Sequence, residues 1–223
     1  MKNFPFNPFF RDSRPGAVAT SFAPWVAGLI ALGLHPLLAA DYSWNTTSAT
    51  WDTTTPNWIG AGTMWVDGAG NNATFANTAT ASAITLGGNR TTGTITIGNA
   101  TNNFNYTFTG SGVTLNGTSL AFAGSGGNDS QDHLASHTVF NGSLNLTLTG
   151  NVTIRRGNLE FGGTGTSNVG NITTSGDWGI FRMSGSAAVN ATALLMGSGG
   201  GGAVTGSFDL NGGTLTTGTI TAI

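Results

Sequence analysis

Tyr106-Thr-Phe-Thr-Gly110 returns as Leu146-Thr-Leu-Thr-Gly150, and Val113-Thr-Leu-Asn-Gly-Thr-Ser-Leu-Ala-Phe122 returns as Val152-Thr-Ile-Arg-Arg-Gly-Asn-Leu-Glu-Phe161. The copies lie about forty residues apart, with one residue lost between their two blocks. In each, apolar residues alternate with Thr, Asn or Ser, stop at Gly, then alternate again. A period of two puts one set of side chains on one face of a strand, and Gly supplies the corners. A second echo is verbatim: Thr91-Thr-Gly-Thr-Ile-Thr96 and Thr216-Thr-Gly-Thr-Ile-Thr221. Short strands with repeated corners point to a solenoid of stacked β coils. One coil of about twenty residues cannot bury enough apolar surface to offset roughly 1–2 kcal/mol of backbone entropy per residue. Each coil must therefore share a core of Val, Ile, Leu and Phe with its neighbours.

Composition supports a folded chain. Only 7% of the 223 residues are charged and 36 are Gly, which alone would also describe a disordered polypeptide. Yet 39% are hydrophobic and keep the period-two register, and the net charge of −2 drives no expansion. The absence of Cys excludes disulfides, zinc knuckles and a thiol nucleophile. The charge balance gives no support for nucleic-acid binding, since basic residues cluster only at Arg155-Arg156.

The first forty residues read as an address. Lys2, Arg11 and Arg14 precede an apolar run from Ala23 to Leu34, and Leu37-Leu-Ala-Ala40 follows. That is the order of a secretory signal peptide, and the run is shorter than the roughly twenty apolar residues of a membrane span. Cleavage after Ala40 leaves Asp41 first; an uncleaved anchor is the alternative. The processed chain keeps Arg90, Arg155, Arg156 and Arg182 against seven Asp and Glu160, or 4 − 8 = −4. Its roughly 180 residues accommodate some seven to nine coils. The expected organisation is a signal peptide over 1–40, a Trp-rich capping segment over 41–82 and β-solenoid repeats over 83–223.

Trp44, Trp51, Trp58 and Trp65 recur every seven residues. The intervening Thr, Pro and Gly cannot sustain a helix, and an odd spacing on one strand would put the rings on alternating faces. Short strands broken at Pro56-Asn57 and Gly60-Ala-Gly62 are expected instead, with the indoles gathered at one end as a cap. Further on, Ala83–Ile97 is expected as two short strands around Gly87–Arg90. Gly124 to His137 is expected as a surface loop, Gly162–Gly176 as turn-rich, and Asp177–Met183 as an aromatic strand. Ser186–Met196 is the least strand-like piece, expected as a helical turn or two. Gly197–Gly202 is a flexible corner and Phe208–Ile223 a strand.

Trp44-Asn45, Trp51-Asp52, Asn57-Trp58, Met64-Trp65 and Ala73-Thr-Phe75 resemble the opening of secreted proteins with autotransporter-associated β-strand repeats. Leu210-Asn-Gly-Gly-Thr-Leu-Thr-Thr-Gly-Thr-Ile-Thr221 resembles their repeat unit, so the likeness covers nearly all of 42–223. It implies a passenger-type, right-handed parallel β-helix exported to the bacterial cell surface, on the outer-membrane exterior, or secreted beyond it. The chain departs from the family's full-length pattern by stopping at Ile223, with no C-terminal β-barrel translocator. The expectation is a fragment, or a protein released without self-transport, whose last strand is ready to pair with more chain.

Several residues are of types that could carry chemistry. His133 and His137, with Asp129 and Asp132, have metal-ligand spacing only on a helix, and a solvated loop is expected. Gly124-Ser-Gly-Gly-Asn-Asp129 half-matches a calcium nonapeptide whose ions need successive copies. Gly197–Gly202 lacks the Lys-Ser/Thr and helix of a phosphate cradle. Glu160 and Asp177 lie beside aromatics and are the pair for a hydrolase, whereas Asp52, Asp67 and Asp209 read as turn residues. Four Thr-x-Thr triplets, at 94–96, 107–109, 147–149 and 219–221, raise the idea of an ice-ordering face. The resulting expectation is an exported structural or adhesive protein with no catalytic, cofactor-binding or metal residue. Surface glycans or other cell-surface proteins are its partners, with no membrane span after signal cleavage and end-to-end self-association. A secreted carbohydrate-active β-helix enzyme and a truncated passenger without independent function are the alternatives.

Overall fold

The computed structural model describes residues 39–47, 49–76, 82–98, 105–123, 136–174, 178–197 and 206–222. Among them there are sixteen strands and no helix. All of the expected signal peptide but Ala39 and Ala40 therefore lies outside the described residues, as do His133, Asp129, Asp132, Asp177 and the half-matched calcium loop. The first half of the chain forms β1 (Asp41–Trp44), β2 (Ala49–Trp51), β3 (Trp58–Gly60), β4 (Asn72–Phe75), β5 (Ser82–Leu86), β6 (Arg90–Thr91), β7 (Thr94–Ile97) and β8 (Asn105–Gly117). The second half forms β9 (Ser119–Ala123), β10 (His137–Leu148), β11 (Val152–Phe161), β12 (Thr166–Thr174), β13 (Gly179–Met183), β14 (Ala188–Met196), β15 (Ser207–Leu210) and β16 (Thr214–Ala222). All belong to one curled, mixed sheet with a half-barrel form. Only β1 and β3 pair antiparallel; every other described pairing is parallel.

The parallel pairings line up as three ladders. One row runs Ala73–Ile95–Leu120–Val152–Ile172–Leu194–Ile220. A second runs Ile84–Phe108–Phe140–Phe161–Met183–Leu210. The third runs Leu115–Leu146–Ser167–Val189–Leu215. These rows point inward, and all members but the last of each and Ser167 join one continuous apolar cluster. Phe108, Phe140 and Phe161 stack at 5.0 and 5.6 Å between centroids, nearly parallel in both steps. Alternation in the sequence becomes burial here: in β5 the pattern inside–outside is strict, and Ile84 and Leu86 point in while Thr85 points out.

The forty-residue echo is not the structural period. Val152 stacks on Leu120 and under Ile172, so its neighbours in space are 32 and 20 residues away, not its counterpart Val113. The longer interval is the one that contains residues 124–135. Local alternation is the same in any strand of such a stack, whereas the corners set the length of the repeat. The verbatim hexapeptide is different. Thr91 and Thr216 belong to one ladder row, through Asn116, Thr147, Asn168 and Asn190, and Ile95 and Ile220 belong to another. Both copies turn the same corner.

Two expectations about local structure are corrected. Ser186–Met196 is no helix: Ala188–Met196 is β14, laddered to β12 on one side and β16 on the other. Val189, Ala191 and Leu194 point inward, so paired backbone and burial override the helix propensity of an Ala-rich segment. Gly162–Gly176, expected as turn-rich, contains β12 over Thr166–Thr174.

The four indoles do gather. Trp51, Trp58 and Trp65 lie within 5.0–5.2 Å of one another by ring centroid, and Trp44 lies 5.1 Å from Trp58. Phe75 meets three of them, and Phe108 lies 4.9 Å beyond Phe75, so the cluster runs into the first aliphatic rungs. Edge-to-face packing of this kind adds to simple area burial. Trp58 reaches the cluster because β3 doubles back on β1, pairing Trp44 with Trp58.

Candidate functional site

The outward faces carry two constellations. The first is an open groove of about 600 Å³ on the side where the hexapeptide corner lies. Its lining comes from four successive rungs: Leu148-Thr149, Asn168-Val169-Gly170, Asn190-Ala191-Thr192 and Thr216-Thr217-Gly218. Parallel register places Asn168, Asn190 and Thr216 in one outward row, and the Asn190 amide donates to the Asn168 carbonyl oxygen at 2.9 Å. The largely buried Leu148, Val169 and Ala191 form an apolar floor, while Thr149, Asn168, Asn190 and Thr192 are exposed. The corner needs Gly. A Cβ on Gly170 would stand 2.7 Å from the Gly150 carbonyl oxygen, and one on Gly218 2.9 Å from that of Thr192.

This lining is uncharged. Its functional groups are amides, which both donate and accept, and hydroxyls, which do the same. A small apolar floor between neutral hydrogen-bonding walls suits a hydroxyl-rich, uncharged ligand better than a phosphate or a cationic one. The repeated Asn at a fixed ladder position was the available sequence signal, but it is visible only once the intervals between rungs are known.

The second constellation lies on the ladder of β10, β11, β13 and β15. Glu160 sits opposite Val139 and Arg182, and Arg182 sits opposite Asp209. The Glu160 carboxylate accepts from His137 Nε2 at 2.7 Å through one oxygen and from the Ser184 hydroxyl through the other. Arg182 donates to Asp209 through Nε and a terminal nitrogen, both at 2.8 Å. A Ser, a His and a carboxylate thus meet, but in an order that does not activate the serine. The carboxylate lies between hydroxyl and imidazole, whereas a nucleophilic triad needs the imidazole in the middle. Glu160 and His137, expected in separate roles, are brought together. Asp209 is a strand residue in an ion pair rather than a turn residue.

The remaining acids act as fasteners. Asp52 accepts from the Thr54 and Thr55 amides at 2.8 and 2.7 Å and from both hydroxyls, the turn expected for it. Burial acts to raise its carboxyl, yet those hydrogen bonds together outweigh it and hold the group below its ordinary value. Asp67 does more than turn the chain: it accepts from Trp65 Nε1, the Thr91 amide and Arg90. The Thr-x-Thr triplets fall on three different ladders. Thr94–Thr96 and Thr219–Thr221 share one, Thr107–Thr109 is on a second and Thr147 on the third, so they make no common flat face.

Among the described residues no group of three or more His, Cys, Asp or Glu is placed to hold a metal ion, and no helix is long and apolar enough to cross a membrane. No family model, curated protein or solved structure matches the chain.

Proposed function

We propose that this chain is an exported β-solenoid, wound as a right-handed parallel β-helix, that makes adhesive contact at the bacterial cell surface and carries out no catalysis. The reading rests on one observation above others: the neutral Asn/Thr groove repeats the same hydrogen-bonding groups on consecutive rungs. Rungs of a sheet are roughly 4.7–4.9 Å apart, so the groove offers amides and hydroxyls at a near-constant interval. A neutral polysaccharide presents hydroxyls along its length and apolar C–H faces between them, which is the chemistry that the walls and floor accept. The resemblance to autotransporter-associated repeat proteins, and the secretory pattern of residues 1–40, support the extracellular setting. The engagement of Glu160 by His137 and Ser184, and of Asp209 by Arg182, supports a holding role for these carboxylates.

Two measurements test it. N-terminal sequencing of protein recovered outside an exporting host should begin at Asp41; retention of residues 1–40 inside the cell removes the surface role. Immobilised neutral polysaccharides should retain the protein, and Asn168→Ala combined with Asn190→Ala should weaken retention about tenfold, as loss of two hydrogen-bonding side chains implies. Binding by neither form, or equal binding by both with unchanged unfolding, overturns the groove as the contact site.

A further inference from the structure

The ladder that carries Ala73, Ile95, Val152 and Ile172 in its inward row has an outward side as well. Asn72-Ala-Thr74 in β4, Thr94-Ile-Thr96 in β7, Asn151-Val-Thr153 entering β11, Asn171-Ile-Thr173 in β12 and Thr219-Ile-Thr221 in β16 share one pattern. Each flanks a member of the inward row with an outward Asn or Thr before it and an outward Thr after it. Parallel register brings the second of these into one row, Thr74–Thr96–Ala121–Thr153–Thr173–Leu195–Thr221. Two of the four Thr-x-Thr triplets contribute, and Thr74, Thr153 and Thr173 complete the row from rungs that have no triplet. At the spacing of strands in a sheet, the seven rungs span roughly 28–29 Å.

The chemistry of this side is uniform. Thr74, Thr96 and Thr173 are half-buried and Thr153 is exposed, and their hydroxyls take part in no hydrogen bond among the described residues. A β-branched side chain has few χ1 choices on a strand, so each hydroxyl is held in place, ready to donate once and accept twice. The row beside it is fixed too. The Asn72 carbonyl oxygen accepts from the Thr94 amide and that of Asn151 from the Asn171 amide, both at 2.9 Å, and the Thr94 and Ser119 hydroxyls meet at 3.2 Å. Neither row holds a charged residue from β4 to β16. Charge lies at the margins, with Asp41 beside Asn72 and Arg155 two positions past Thr153.

We propose that this row binds the surface of ice. Water oxygens joined by hydrogen bonds of roughly 2.7–2.8 Å in a tetrahedral lattice have second neighbours about 4.5 Å apart. Rungs repeat at roughly 4.7–4.9 Å, so hydroxyls on successive rungs fall close to every second oxygen of such a lattice. The Thr methyls beside them compete for none of its hydrogen bonds. Liquid water gains little from that regularity and an ordered lattice gains much, which is the difference that selects the solid. Two other occupants fit less well. A second protein needs an apolar core at its interface, and Leu195 is the one large apolar side chain of the row. A single polysaccharide chain is better received by the groove, which adds walls to an apolar floor. The inference does not rest on the groove or on its glycan reading.

Ice grown slowly from a solution of the full chain should take up the protein, and recrystallisation of a frozen film should slow at micromolar concentrations. Thr153→Lys and Thr173→Lys should each raise the concentration required about tenfold or more, because an ammonium at the contact must shed its water. Thr107→Lys, outward on the ladder that carries Glu160, should leave it unchanged. Urea midpoints close to that of the parent chain show that a variant lost contact and not its fold. No slowing by the parent chain, equal loss at Thr107→Lys, or no loss at both Thr153→Lys and Thr173→Lys overturns the proposal. Retention on an insoluble neutral polysaccharide that depends on Thr153, with no effect on ice, assigns the row to that ligand and overturns it as well.

Discussion

Arg90 reaches back to Asp67 with a 2.8 Å ion pair, and the same carboxylate accepts the indole N–H of Trp65 at 2.9 Å. Arg90 also donates to the Trp51 carbonyl at 3.2 Å and begins β6, so one side chain ties the indole cluster to the regular rungs. The Arg90 side chain is 11% exposed and the Asp67 side chain 35%. Asp67→Ala takes the acceptor from one guanidinium nitrogen of Arg90, from the Trp65 indole N–H and from the Thr91 amide, while Arg90 Nε keeps the Trp51 carbonyl. With solvent screening on the Asp67 side, the expected loss is about 1–2 kcal/mol. Urea unfolding followed by Trp fluorescence measures it, and Asp67→Asn should lose less because an acceptor remains.

Phe140 lies between Phe108 and Phe161 in the aromatic row, and is buried. Phe140→Ala should cost about 3–5 kcal/mol, the usual range for a large cavity in a packed core. A comparable loss at an outward neighbour such as Val139 would show that the row is not the shared core described above.

Gly170→Ala should destabilise the corner by about 1–3 kcal/mol, since the added methyl meets backbone, which cannot swing aside. Gly112→Ala is the control. Its φ is +67° with nothing within 4 Å of a new Cβ, so only the left-handed backbone opposes it, at about 1 kcal/mol. The order of the two thermal midpoints is the readout.

The Asp52 carboxyl is held below its ordinary value, so it is more acidic folded than unfolded. Its contribution to stability is fully present above the unfolded value and is lost as pH falls through the lowered folded one. Asp52→Asn removes that contribution. The gap in urea midpoint between the parent and this variant should therefore be widest at neutral pH and close below about pH 4. A gap that widens on acidification would contradict the Thr54 and Thr55 hydrogen bonds as its source.

Much of the strand content was readable because alternation is a local property. Ile84, Ile95 and Phe108 announce their inward direction by their immediate neighbours, and each is buried. The indole cluster was readable for a related reason, since no regular element accommodates those three seven-residue spacings. The misreadings were all non-local. The Ala-rich Ser186–Met196 has no inherent claim on a strand, and acquires one only from ladders on both its edges. His137 and Glu160 are separated by 23 residues and meet only because neighbouring rungs stand side by side.

What the chain's own order of residues determined is the all-β character and the alternation of side chains along each strand, because these depend on backbone geometry over a few residues. The intervals between rungs, the Asn row of the groove and the pairing of Glu160 with His137 were decided only by tertiary structure. Each of those depends on which segment lies 20 to 32 residues away in the stack, and turns and insertions set that distance without leaving a local period.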